Sequence, residues 1–344
     1  MPVANHIPHT IDQDRDSRSS SQDMPVRKTE ARKIYLDCDP GVDDACALLA
    51  AFTAPELEIL GVSSVSGNVP LDLTTSNLAK LLTFMGVDDI FFAAGAASPL
   101  EREGYFAIEV HGPDGLGGVE VPPAAIEPGA LPAFELIYFL AKQNPGQMEL
   151  LAIGPLTNVA LALERHPDLV DLLPRLVIMG GGHACFNAGE QAEFNIYADP
   201  EAAKIVFDSG LRVDMIGLDV TQLAAVPADF FQNRAALSPR QDLFRRLSEY
   251  VAALNRRFGI KRPVNLHDLT TLMYVMRPEI FRLQPARVKV HCEDGPELGR
   301  TECNFSPEAL AELASMGRQP DRVALDFDAE AYTDFLEEIF NRLA

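Results

Sequence analysis

The chain has 344 residues, 47% of them hydrophobic, and a formal charge of −21. Its length and apolar content allow one large α/β domain or two small ones. The acidic excess excludes a nucleic-acid binder, which needs a basic face to displace counterions from phosphates.

Residues 1–31 are rich in Pro, His, Asp and Arg, carry the run Ser19-Ser20-Ser21, and hold few large apolar residues; a disordered tail is expected. From Lys33 onward, short apolar runs ending in Gly, Asp or Pro alternate with helical periodicity. Strands are expected at 33–38, 58–65, 90–94, 149–153, 176–179 and 212–217, with helices at 43–53, 72–85, 134–143, 155–165 and 199–208. That alternation implies an open, mostly parallel sheet with helices on both faces. Helices are next expected at 227–258 and 268–276, then strands at 287–292, 300–305 and 322–327, and a final helix at 329–343. No linker composition and no repeat interrupts 32–344, so a single domain is expected. No apolar run is long enough to span a membrane and the start lacks a secretory pattern, so a cytoplasmic protein without membrane partners is expected. The five cysteines, Cys38, Cys46, Cys185, Cys292 and Cys303, form no CxxC pair and no zinc spacing; they read as small core residues in a reducing compartment.

The densest chemistry follows the first strand. Asp37-Cys38-Asp39-Pro40-Gly41-Val42-Asp43-Asp44 puts four carboxylates within eight residues. Carboxylates so close raise one another's pKa unless a charge offsets them. A hard cation with oxygen ligands is the simplest remedy. Helix capping explains Asp43 or Asp44 alone and leaves Asp37 and Asp39 without a purpose.

Ligands of open parallel sheets bind beyond the carboxyl ends of the strands. Polar and glycine-rich motifs follow the other strands there: Ser66-Gly67-Asn68, His111-Gly112 with the glycine loop to Gly118, Gly154-Pro155-Leu156-Thr157-Asn158, and Gly180-Gly181-Gly182. The glycine stretches lack the context of a phosphate loop and read as turns that let backbone approach a ligand.

The first motif resembles the DxDPGxDD signature of nucleoside hydrolases. Gly67-Asn68, His111-Gly112, Gly154 to Asn158, Met179-Gly180-Gly181, Glu193-Phe194-Asn195 and His267-Asp268 resemble that family's later motifs in the same order. The resemblance implies a homo-oligomer, dimer or tetramer, and a ribonucleoside substrate held over Ca²⁺. It implies metal ligands Asp39, Asp44, the Ile153 carbonyl and Asp268. Asp39 would also serve as general base on a cation-bound water, with Asp37 orienting from behind. His267 would assist departure of the base. Asp43, Asn68, Asn187, Glu193 and Asn195 would grip ribose hydroxyls, Met179 would floor the ribose pocket, and His111 and Asn255 would approach the nucleobase. The absence of Trp fits an inosine, uridine or cytidine type of enzyme better than one that stacks purines on tryptophan. Two rivals are a DxD phosphohydrolase of the haloacid dehalogenase class and a catalytically silent nucleoside-binding protein. The first lacks its usual residue after the second Asp. The second would be expected to lack Asp39 or His267.

Overall fold

β1 (Arg32–Cys38) is buried from Ile34 onward, as a central strand covered on both faces must be. The computed structural model describes residues 31–231, 236–257 and 264–344; the expected N-terminal tail lies outside them but for its last residue. After β1 come α1 (Val42–Ala51), β2 (Leu57–Ser64), α2 (Leu71–Met85), β3 (Phe91–Ala94), the single turn α3 (Ile108–His111) and α4 (Ala133–Gln143). They are followed by β4 (Met148–Ala152), α5 (Thr157–Arg165), α6 (Leu169–Leu172), β5 (Leu176–Met179), α7 (Phe194–Ala198), α8 (Pro200–Asp208) and β6 (Val213–Ile216). The last third holds α9 (Leu218–Thr221), β7 (Ala225–Val226), α10 (Pro239–Arg257), β8 (Val264–Asn265) and α11 (His267–Met276). It ends with β9 (Phe281–Val290), β10 (Thr301–Asn304), α12 (Pro307–Ser315), β11 (Asp321–Phe327) and α13 (Ala329–Arg342).

Among the described residues, nine strands form one open sheet in the order β10-β9-β11-β6-β5-β4-β1-β2-β3. The pairs from β3 across to β11 are parallel, and only β9 runs antiparallel, against β11 and β10. The α/β reading is therefore correct. Strand alternation sends Ile34, Leu36 and Cys38 into an apolar cluster with α1, α2, α10, α11 and α13, and Tyr35 into a second cluster with α4, α5 and α8. Among the described residues no helix is long and apolar enough to cross a membrane.

The structure corrects the helix expected over 227–258. That stretch begins just after β7, which pairs with β8, and the helix starts only at Pro239, a residue suited to the first helical turn. α12 was not foreseen. Its start is legible in retrospect, because the Ser306 hydroxyl caps it by accepting from the Ala309 amide at 3.2 Å and Pro307 occupies its first turn.

Candidate active site

The loops that follow the carboxyl ends of β1, β2, β4 and β5 line a pocket of about 630 Å³, together with residues of α10 and α11. Three oxygens converge at one place in it. Carboxylate atoms of Asp43, Asp44 and Asp268 lie within 4.8 Å of one another. Two come from the first turn of α1 and the third from the first turn of α11, so strand-to-helix geometry brings together residues over two hundred positions apart.

Asp39 stands beside this triangle rather than within it. Its Oδ2 accepts the Asn68 amide at 2.7 Å, while Oδ1 is buried with no partner. Two glycines make room for it: a Cβ at Gly67 would sit 2.1 Å from Oδ2, and one at Gly154 would sit 2.6 Å from Oδ1. No side chain fits at either position. The Asn68 side-chain amide donates to the Asp39 carbonyl and to Asp44 Oδ2, both at 3.0 Å, so one asparagine ties the two aspartates together.

Burial and mutual repulsion govern these groups. Burial, then the charge of Asp44, holds Asp39 well above the usual carboxylate range. Burial and the charge of Asp43 push Asp44 up to about 7. Asp268 is raised by burial and by Asp43, Asp44 and Asp39. Elsewhere the fold handles a buried carboxylate differently: Asp214 accepts from Arg175 at 2.6 Å and from Arg322 Nε at 2.7 Å, and its carboxyl stays below the usual range despite burial. No Lys or Arg lines the described part of the pocket. An all-oxygen donor set, a buried unpartnered oxygen and no side-chain cation together fit a hard divalent metal ion.

Asp37 sits one layer below, where burial pushes it up to about 7. Its Oδ1 accepts from the Ser63 hydroxyl at 2.5 Å and from the Asn158 amide at 2.8 Å. Sequence reasoning quoted Asn158 as part of a motif without giving it a task, and missed Ser63. The main-chain oxygen of Asp37 receives the Ile153 amide at 2.8 Å, which holds the turn that presents the Ile153 carbonyl.

The sugar-side candidates divide. The Asn195 side-chain amide donates to the carbonyls of Ile153 and Met179, each at 3.0 Å. Glu193 is buried and pushed up to about 7; its carboxylate caps α7 and accepts the amides of Gly181 at 2.9 Å, Asn195 at 3.0 Å and Ile196 at 3.2 Å. It acts first as a brace for the loop after β5. Asn187 is exposed, and its side-chain oxygen accepts from the Phe194 amide at 2.9 Å. All three border the pocket, as do Met179 and Asn255.

Two histidines meet there, both lowered by burial and both partly offset by the charge of Asp43. His111 Nδ1 accepts the Val42 amide at 3.1 Å, so its ring is neutral with the proton on Nε2. His267 Nδ1 lies 2.8 Å from the Thr221 hydroxyl. Thr221 belongs to none of the motifs expected to form the site. The mouth is apolar and aromatic: Tyr105 and Phe106 precede α3, and Val251 and Leu254 project from α10. Tyr105 packs against Phe194 at 5.9 Å and Tyr197 at 5.1 Å between ring centres.

The inosine-uridine preferring nucleoside hydrolase family matches residues 34–334. The chain is 38% identical over 312 residues to the non-specific ribonucleoside hydrolase RihC of Salmonella paratyphi B, a match covering 91% of this chain and 98% of that one. In three dimensions it is similar to a plant nucleoside hydrolase, the PpNRh1 enzyme, with a TM-score of 0.84 at 30% identity, covering 90% of this chain and 98% of that one. A purine-preferring ribonucleoside hydrolase from Gardnerella vaginalis gives 0.79 at 26% identity, with 91% and 98% covered. Matched along nearly all of its described length, the chain belongs to the family of inosine-uridine preferring nucleoside hydrolases and is an N-glycosidase of that kind.

Proposed function

We propose that this ribonucleoside hydrolase acts on nucleosides of the inosine, uridine and cytidine type, releasing ribose and the free base, with Ca²⁺ as its cofactor. The single observation that carries the reading is the triangle of Asp43, Asp44 and Asp268, the last two buried, beside the unpartnered Oδ1 of Asp39, in a pocket that no Lys or Arg among the described residues lines. Asp39, Asp44, Asp268 and the Ile153 carbonyl would hold the cation, and Asp43 would share its position toward the ribose. Bound there, calcium offsets the carboxylate charge and makes a nearby water more acidic.

The chain's own groups do the rest. Asp39 has one oxygen fixed by the Asn68 amide and the other without a partner; the latter takes the proton of the attacking water. As oxygen bonds to the anomeric carbon, the C–N bond breaks and its electron pair leaves with the base. His267 delivers a proton to that base, with Nδ1 engaged and Nε2 turned to the leaving group. Asp43, Asn68, Asn187, Glu193 and Asn195 hold the ribose hydroxyls, which directs binding energy to the distorted sugar. Met179 floors the sugar, while His111 and Asn255 approach the base. Asp37 steadies β1 beneath Asp39. The breadth of base choice is supported by the absence of tryptophan and by the non-specific relative. Family resemblance alone supports a homo-oligomer, and the sequence pattern alone supports a cytoplasmic location.

The test is a panel of ribonucleosides and their 2′-deoxy counterparts, assayed for free sugar before and after chelation. Turnover of inosine and pyrimidine ribonucleosides, lost on chelation and restored by Ca²⁺, is expected. Turnover indifferent to metal removal would sink the cofactor assignment, and release of phosphate from phosphomonoesters would favour a different hydrolase.

A further inference from the structure

Thr221 closes α9 and is fully buried. Its hydroxyl lies 2.8 Å from His267 Nδ1. The same residue is tied to the chain leading into His267 by a second route: its carbonyl accepts from the Asn265 side-chain amide at 3.1 Å, and that amide also reaches the Gln222 carbonyl at 2.7 Å. Asn265 lies in β8, which pairs with β7 just downstream of Thr221. The end of α9 thus grips the ring of His267 and the side chain two residues before it.

A ring held at Nδ1 turns its other nitrogen away from the contact, and His267 borders the pocket. A hydroxyl both donates and accepts, so it holds the ring whichever way the shared hydrogen points. Without that bond the imidazole is free to rotate about its side-chain torsions, and the Nε2 position is no longer fixed.

We propose that Thr221 is a positioning residue for leaving-group departure: its hydroxyl fixes His267 so that Nε2 faces the nucleobase. This rests on the reading of His267 as the group that assists the base. It adds a residue outside every motif that carries the family resemblance.

The experiment compares Thr221→Val, which removes the hydroxyl at nearly constant shape, Thr221→Ser, which keeps it, and His267→Ala. Each calcium-loaded variant is assayed on uridine and on p-nitrophenyl riboside, whose leaving group departs without a proton. Thermal melting establishes that each is folded. General acid catalysis contributes roughly 10²–10⁴-fold, so a misaimed acid forfeits part of this. Thr221→Val is expected to lower kcat on uridine by about tenfold or more, with KM little changed and p-nitrophenyl riboside turned over nearly as before. Thr221→Ser is expected to recover most of the loss.

If Thr221→Val keeps wild-type turnover of uridine while His267→Ala does not, the proposal is overturned and the role of His267 stands. If Thr221→Val slows both substrates alike and Thr221→Ser fails to rescue, the residue is merely structural. Equal losses on both substrates in His267→Ala overturn the reading beneath the proposal, and the proposal with it.

Discussion

The Asn195 side-chain amide donates to the Ile153 carbonyl at 3.0 Å and to the Met179 carbonyl at the same distance. One amide group therefore bridges the carboxyl ends of β4 and β5 and aims the only main-chain oxygen assigned to the cation. A carbonyl has two lone pairs, so this bond leaves one for a metal while fixing its direction. Asn195→Ala is expected to weaken calcium binding by about 10- to 100-fold, the usual effect of losing such a supporting group. Calorimetric titration of the stripped protein measures this directly, whatever Asn195 also does for ribose. Unchanged affinity would remove Ile153 from the ligand set or Asn195 from its support.

Calcium affinity is expected to rise with pH through neutrality. Burial and Asp43 push Asp44 to about 7, and Asp39 and Asp268 are raised as well. Without metal these groups hold protons near neutral pH, and a cation must displace them. The folded pKa of Asp44 lies above the unfolded one, so its contribution to the stability of the metal-free fold is complete below about 4 and is lost as pH rises through about 7, and the raised carboxyls of Asp39 and Asp268 act in the same direction. Calcium removes that loss. The gain in melting temperature on adding Ca²⁺ is therefore expected to be larger at pH 8 than at pH 6, with proton uptake by the buffer visible in calorimetry. An equal gain at both values would contradict the raised carboxyls.

Much of this site is legible in the sequence, and what escapes it has a common cause. Motifs after parallel strands converge on one edge as a matter of topology, so Asp39, Asn68, Ile153 and Met179 could be grouped from strand ends alone. Asp268 and His267 depended on the family resemblance, because no periodicity carries α11 back to β1. Thr221, Ser63 and Asn158 act on other side chains through single hydrogen bonds across 46, 26 and 121 positions, and a hydroxyl or amide in an apolar segment gives no local sign of such a partner. Glu193 was legible as a site residue but not as a brace, since its bonds go to backbone amides that every residue possesses.

The segment before α3 is held at two points. The Leu100 amide donates to Asp199 at 3.0 Å, and Arg102 bonds Glu201 at 2.8 Å, Asp294 at 2.8 Å and the Cys292 carbonyl at 2.5 Å. Beyond it the Ala107 amide reaches the Asn68 carbonyl at 3.0 Å. Only residues 103–106 lie between, and they include Tyr105 and Phe106 at the pocket mouth. Arg102→Met is expected to cost about 1 kcal/mol of stability and to raise KM for nucleosides several-fold with a smaller change in kcat. Steady-state kinetics on inosine decide it; a fall in kcat at constant KM would mean that this anchor governs the chemistry rather than the mouth.

Asp321, remote from the pocket, is expected to make the fold more stable in mild acid. It is buried at the start of β11 and is pushed up to about 7 by burial, with the Val288 amide, which donates to it at 3.4 Å, and then the charge of Arg318 acting the other way. Because the folded pKa exceeds the unfolded one, its contribution is complete below about 4 and disappears as pH rises through about 7. At about 1.4 kcal/mol per pKa unit, the most this one group can withdraw by pH 8 is about 4 kcal/mol. Asp321→Asn keeps an acceptor for Val288 and cannot ionise. With calcium saturating in both proteins, the variant should melt near or below the wild type at pH 5 and gain on it by pH 8. The difference in melting temperature between the two proteins cancels the other raised carboxyls, which both share. A difference that stays constant from pH 5 to pH 8 would show that Asp321 ionises inside the fold without penalty.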